Sequence, residues 1–277
     1  MLNEIFYKYQ SLGNDFVLID WLDEDSKNIT EIVANKEWSK FISHLCSRNF
    51  GIGADGVLIV KKKSENQIEG VIFNSDGSSG GISLNGLRCI AHYLIKHKKF
   101  PAKLDIFMGN KIIQCDLQDD KIRVQINNII YKKEKLIKVF DDEFLGHIID
   151  AGNPHFVIFS DVDSNWLSEN GIKISEHKFF PNRTNVEFVW RHPEFSEKQK
   201  RYCILVYERG AGMTLACGSG AAAVVTALHK LDEIKINEKV TIEMSGGTLT
   251  SYIDDKNNII QLASAEMVFK VSFFNFG

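Results

Sequence analysis

Cys217 and Ser83 are the residues from which chemistry could start. The thiol stands in TLACGSGAAAVV and the hydroxyl 134 positions earlier in GGISLNGLRCIA, and each stretch is a small-residue turn opening an apolar run. A thiol at a helix start feels the positive end of the helix dipole, which lowers its pKa from about 8.5 toward neutrality and suits it to act as nucleophile or general base. A serine hydroxyl ionises far higher and needs an activating partner for the same task. The backbone N–H groups of LNG at 84–86 and of GSG at 218–220 are donors of the kind that hold a carboxylate or phosphate at a helix N-terminus. Helix capping by Asn85 and Ser219 would account for the same residues without any ligand.

Other polar residues cluster in the same motifs. In ERGAG, Arg209 suits a substrate carboxylate, while Glu208 suits an amino group or the tuning of the thiol; a surface ion pair is their bland alternative. The tight turn GNPH carries Asn153 and His155. Asn14 in SLGNDF, Asn74 in FNSDGS and Asn185 in RTNVEF add uncharged amides, suited to fixing a zwitterion whose ends other groups neutralise.

These residues need elements to position them. Period-2 alternation and β-branched runs predict strands at 16–20, 56–60, 70–74, 103–108, 121–126, 155–159, 186–190, 202–207 and 239–244. Helical spacing predicts a helix over 29–48, and two nearly all-apolar helices over 85–97 and 218–231. A helix apolar on every side must be enclosed, so each of the latter two is the centre of a β-rich domain. Nine residues separate Asn74 from Ser83, and nine separate Glu208 from Cys217, which points to a duplicated unit with the two turns facing one another. The expected division is 1–125 with 265–277, the last strand returning to the first domain, and 126–264 as the second.

Composition removes several classes of function. The chain has 277 residues, 44% hydrophobic and 25% charged, with a net charge of −3 that gives no reason to expect nucleic acid or an anionic membrane as partner. No apolar run reaches membrane-spanning length and no secretory leader is evident, so a cytosolic location is expected. The five cysteines have no CxxC spacing, which indicates neither a disulfide framework nor a zinc site. GIGADG at 51–56 matches GxGxxG, but a helical pattern precedes it and a strand follows; pyrophosphate binding needs the reverse order, so it reads as a turn.

Taken together, SLGNDF, GIGADG, FNSDGS, NGLRCIA, GNPHFV, RTNVEF and ERGAGMTLACGSGAAA resemble the successive signatures of the diaminopimelate epimerase family, in order and over about the whole chain. The resemblance implies an α+β fold of two pseudo-symmetric domains. Each would be a β-barrel-like mixed sheet around a central helix, with the active site in the interdomain cleft. It implies interconversion of LL- and meso-diaminopimelate, in lysine and cell-wall precursor formation, without cofactor or metal, by a cytoplasmic homodimer. Two cysteines would act in turn, one taking the α-proton as thiolate and the other delivering a proton to the opposite face. On this likeness Cys217 is one of the pair and His155 tunes it. Leu84, Asn85, Gly218 and Ser219 receive the substrate carboxylate. Asn14, Asn74, Asn153 and Asn185 bind substrate, and Glu208 with Arg209 holds the distal amino-acid group. The chain departs from the family pattern at Ser83 and Leu84, where a Cys-Gly pair is usual, and at Met213, where an acid is usual. Three activities remain open: an epimerase with Ser83 or a water relaying the second proton, a single-base isomerase or dehydratase on the same scaffold, and a catalytically silent amino-acid-binding homologue. Retention of Cys217, Glu208, Arg209 and the four asparagines favours the first.

Overall fold

Each all-apolar helix has a mixed sheet folded around it. The computed structural model describes residues 5–24, 35–64 and 67–272, and the chain divides into two compact units, residues 1–124 with 264–277 and residues 125–263. Part of the helix expected over 29–48 (residues 29–34) and the end of the closing strand (residues 273–274) lie outside the described residues.

In the first unit the strands are β1 (Ile5–Ser11), β2 (Asn14–Trp21), β3 (Gly56–Ser64), β4 (Gln67–Asn74), β5 (Lys103–Met108), β6 (Lys111–Gln118), β7 (Lys121–Ile126) and, last in the chain, β17 (Glu266–Ser272). They pair in the order β17-β1-β2-β3-β4-β5-β6-β7, with β2 parallel to β3, β4 parallel to β5 and every other pair antiparallel. A parallel pair needs a crossover. Helix α1 (Lys36–Cys46) lies between β2 and β3, and α2 (Leu84–His92), extended by a π-helical turn over Tyr93–His97, lies between β4 and β5. The Asn35 side chain caps helix α1 at one end, and the extended backbone of Ser47 stops it at the other, short of the expected end at 48. Helix α2 touches β17 and all of β1 to β6, and Leu87, Cys89, Ile90 and Ala91 along it are fully enclosed.

The second unit repeats this plan. Its strands are β8 (Ile130–Val139), β9 (Asp142–Asp150), β10 (Pro154–Phe159), β11 (Asn185–Arg191), β12 (Arg201–Glu208), the short β13 (Gly212–Thr214), β14 (Val240–Met244), β15 (Gly247–Ile253) and β16 (Ile259–Ala263). The order is β8-β9-β10-β11-β12-β14-β15-β16, with β13 folded back on the end of β12; β10 with β11 and β12 with β14 are the parallel pairs. Helix α3 (Ser164–Ser175) makes the first crossover and α4 (Gly218–Lys230) the second. Its run of alanines and valines is enclosed by β8, β9, β10, β11, β15 and β16. The polar sequence of α3 hides its helicity; Asp163 starts it by accepting the amides of Asn165 and Trp166. Among the described residues no helix is long and apolar enough to cross a membrane.

The two sheets agree in register as well as in order. Phe16 faces Gly56 across β2 and β3, and His155 faces Asn185 across β10 and β11. Close packing makes this frame intolerant at particular points. A Cβ added at Gly146 on β9 would fall well inside contact distance of the Phe156 ring, which is fully buried and packed on Phe180 at 5.1 Å. Gly146→Ala is therefore expected to destabilise the protein by about 1–3 kcal/mol, the usual cost of overpacking a rigid core site, read as a lower urea midpoint.

Candidate active site

Both helix starts follow one design. Ser83 is the N-cap of α2, its Oγ accepting the Gly86 amide at 3.0 Å; Cys217 is the N-cap of α4, its Sγ accepting the Gly220 amide at 3.3 Å. The caps are thus Ser83 and Cys217 rather than Asn85 and Ser219, because each helix begins two residues earlier than a cap at those positions requires. By helix geometry the first-turn amides of Leu84, Gly218 and Ser219 have no carbonyl one turn back to bond, so both turns keep the donors that an anion needs.

In the first unit Asn85 turns inward. Its Nδ2 donates to Asn14 Oδ1 at 3.1 Å, and its own Oδ1 accepts from the Arg88 guanidinium. Asn14, the first residue of β2, donates in turn to Asp55 at 2.7 Å, and Asp55 pairs with Arg48, which also holds Asp15. Against the pull of burial, the Arg48 and Lys8 hydrogen bonds hold the Asp15 carboxyl down to about 2. This anchored network fixes Asn14 and Asn85, while Leu84 is buried and Asn74, exposed at the end of β4, donates to Ser78 at 2.9 Å. Arg88, fully buried one turn into α2, donates also to Ser11 at 2.8 Å, and burial pulls its pKa down to about 10. Its motif, NGLRCIA, was legible, but nothing in the sequence tells that the guanidinium lies inside.

The second unit gathers the titratable groups. The Cys217 thiol lies 3.4 Å from Ser219 Oγ and against Glu208, whose Oε1 accepts from Thr214 at 2.7 Å. His155, fully buried, places Nδ1 2.6 Å from Oε1 of Glu187, and its Nε2 lies 2.9 Å from Asn153 Oδ1 and 3.4 Å from Asn185 Nδ2. Asn185 Oδ1 accepts the Arg209 amide at 2.8 Å, while the Arg209 guanidinium, on an exposed residue, donates to the Asn182 carbonyl at 3.0 Å. So Cys217, Ser219 and Glu208 form one group; His155, Asn153, Asn185 and the Arg209 backbone form another, joined through Glu187. Adjacent in sequence, Glu208 and Arg209 do not pair with each other; one side chain meets the thiol and the other a carbonyl.

The expected electrostatics of the thiol are reversed. Burial, followed by the nearby charges of Glu208 and Glu187, raises the Cys217 thiol well above its ordinary range, and the Ser219 and Gly220 hydrogen bonds only partly oppose this. A helix dipole worth at most ~2 kcal/mol is outweighed by desolvation plus two like charges. Burial likewise raises the Glu208 carboxyl, with Thr214 and Cys217 hydrogen bonds opposing. Both shifts run the same way, so the site disfavours the Cys217 thiolate and the Glu208 carboxylate alike.

The family model described as diaminopimelate epimerase matches residues 6–131 and 147–268. Diaminopimelate epimerases from Methanocaldococcus jannaschii and Carboxydothermus hydrogenoformans are 32% and 34% identical to this chain, spanning 98% and 97% of it and 99% of their own length. Among solved structures, a hydroxyproline epimerase from Agrobacterium vitis superposes with a TM-score of 0.72 over 98% of this chain and 93% of its own, at 12% identity. A probable proline racemase from Agrobacterium radiobacter K84 gives 0.75 over 98% and 92%, at 8% identity, a likeness of fold alone.

The sign of the thiol shift is testable. Ultraviolet titration of the thiolate, with Cys217→Ser as the blank, should show Cys217 ionising above the ordinary thiol value of about 8.5. Glu208→Gln removes a like charge and should lower that midpoint.

Proposed function

The chain belongs to the diaminopimelate epimerase family, and from that premise we propose that it interconverts LL- and meso-diaminopimelate by moving the α-proton, as a step in lysine biosynthesis. One observation carries the reading: a buried thiol at a helix N-terminus, beside a largely buried carboxylate and next to first-turn amides suited to a carboxylate.

The chemistry follows from these groups. The α-carboxylate of the substrate binds at the first-turn amides, where the helix dipole favours the charge that builds up when the Cα–H bond breaks. Glu208 takes the thiol proton, and the resulting Cys217 thiolate receives the α-proton on one face, leaving the electron pair on Cα and its carboxylate. A proton then reaches the other face from the Ser83 hydroxyl or a water it orders, forming the new Cα–H bond, and solvent restores the donor. Ser83 Oγ uses a lone pair to cap α2, which leaves its own proton available. In the reverse direction Cys217 is the acid. Asn14, Asn74, Asn153 and Asn185, with Arg209, orient the rest of the amino acid in this reading. It also takes the enzyme as cytoplasmic, cofactor-independent and homodimeric, on family membership alone.

A second reading draws on Ser83 itself. With a hydroxyl in place of the second thiol, one base could suffice for an isomerisation that removes and returns a proton on the same face.

The test is conversion of LL-diaminopimelate to the meso form by the purified protein. Cys217→Ser should lower kcat by about 10²–10⁴-fold, the usual worth of a general base. Ser83→Cys combined with Leu84→Gly should raise it. No conversion by either the natural chain or the double variant contradicts the epimerase reading.

A further inference from the structure

The twin architecture exposes a residue whose chemistry the packing does not require. Glu187, on β11, is fully buried, and its Oε1 meets His155 at 2.6 Å while its Oε2 has no hydrogen-bond partner among the described residues. A Cβ built at Gly220, in the first turn of α4, would lie 2.7 Å from Glu187 Oε1. In the first unit a Cβ built at Gly86, in the first turn of α2, would lie 2.9 Å from Leu58 Cδ2. The registers make the equivalence independent of that contact: Phe16 pairs with Gly56 as His155 pairs with Asn185, so Leu58 and Glu187 are each two residues further along the partner strand. Phe16 and Leu58 thus fill with hydrocarbon the place behind one helix start that His155 and Glu187 fill behind the other.

An apolar pair does this packing task at no cost in desolvation, whereas a buried carboxylate is expensive even when paired. The polar pair therefore serves something other than packing. We propose that Glu187 is a positioning residue of the second-unit site: it holds His155, and through it Asn153 and Asn185, and it keeps a negative charge directly behind the turn that carries Cys217. The links run from Glu187 to His155, from His155 Nε2 to Asn153 at 2.9 Å with Asn185 Nδ2 packed 3.4 Å from the same nitrogen, and from Asn185 to the Arg209 amide. On the other side Glu187 lies against Gly220, whose amide donates to the Cys217 sulfur at 3.3 Å. The titratable groups around that sulfur are Glu208 on β12, Glu187 on β11 and, behind Glu187, His155 on β10, and the charge of Glu187 acts with burial and Glu208 to disfavour the thiolate.

The experiment uses the full chain with Glu187→Gln, which keeps the shape and an oxygen for His155 but removes the charge, and Glu187→Leu, which installs the residue of the twin. Thiolate titration of Cys217 needs no substrate. In Glu187→Gln the midpoint should fall by about one unit or more, a tenfold larger thiolate fraction at fixed pH. Turnover rests on the epimerase reading: Glu187→Gln should lower kcat with little change in KM, and Glu187→Leu should also raise KM as the asparagines lose their anchor. A Gln midpoint within about 0.3 unit of the natural chain overturns the electrostatic role. A folded Leu variant with unchanged KM overturns the anchoring role. Because the titration is blind to substrate, a failed assay with diaminopimelate and a failed role for Glu187 give different results.

Discussion

Like charges crowded into a space from which water has been removed cannot all ionise together. That constraint governs the start of α4, where a buried thiol meets Glu208 on one side and Glu187 on the other. The enclosure of the helix creates the condition: its alanine and valine faces demand burial, the sheet supplies it, and the N-cap residue is carried in with the rest. The same packing that stabilises the unit disfavours the Cys217 thiolate, and the first-turn amides, with their positive potential, are the local exception. Proton transfer at such a site depends on which group gives up its charge as the substrate enters.

The two units show how one frame can be loaded differently. Strand order, parallel pairs, crossover helices and the cap at each central helix are shared. The side chains are not. Where the second unit carries Asn153, His155, Glu187, Glu208 and Cys217, the equivalent places of the first carry Asn14, Phe16, Leu58, Asn74 and Ser83. At these equivalent places the acid and base groups belong to the second unit, while the first carries amides, a hydroxyl and hydrocarbon. A fold with a repeated plan does not oblige its halves to share the chemistry.

Much of this was legible in the residues. The enclosed helices follow from GLRCIA and GSGAAAVV having no polar face, and GIGADG, read as a turn from helix to strand, is the turn that leads from α1 into β3. The nine-residue spacing of Asn74 to Ser83 and of Glu208 to Cys217 is matched by strands that end at Asn74 and Glu208 and caps at Ser83 and Cys217. What the residues could not tell is the direction of the thiol shift, because a dipole is a local property of the chain and desolvation is a property of everything packed on it. Glu187 was equally hidden: in VEFVW it alternates as a surface residue would, and only the register against β10 puts it on His155. Helix α3 was missed since its stability comes from a cap and from a few buried residues rather than from an apolar stripe.

If the enzyme works as proposed, proton transfer is unequal on the two faces of Cα, with a thiol serving one face and a hydroxyl or ordered water the other. Deuterium oxide tests it most directly, with LL- and meso-diaminopimelate followed separately for α-deuterium and for inversion. One of the two epimers is predicted to take up deuterium in the recovered, uninverted molecule faster than it is converted. If label instead enters only the inverted product from both directions, two matched acid/base groups are at work and the unequal account is wrong.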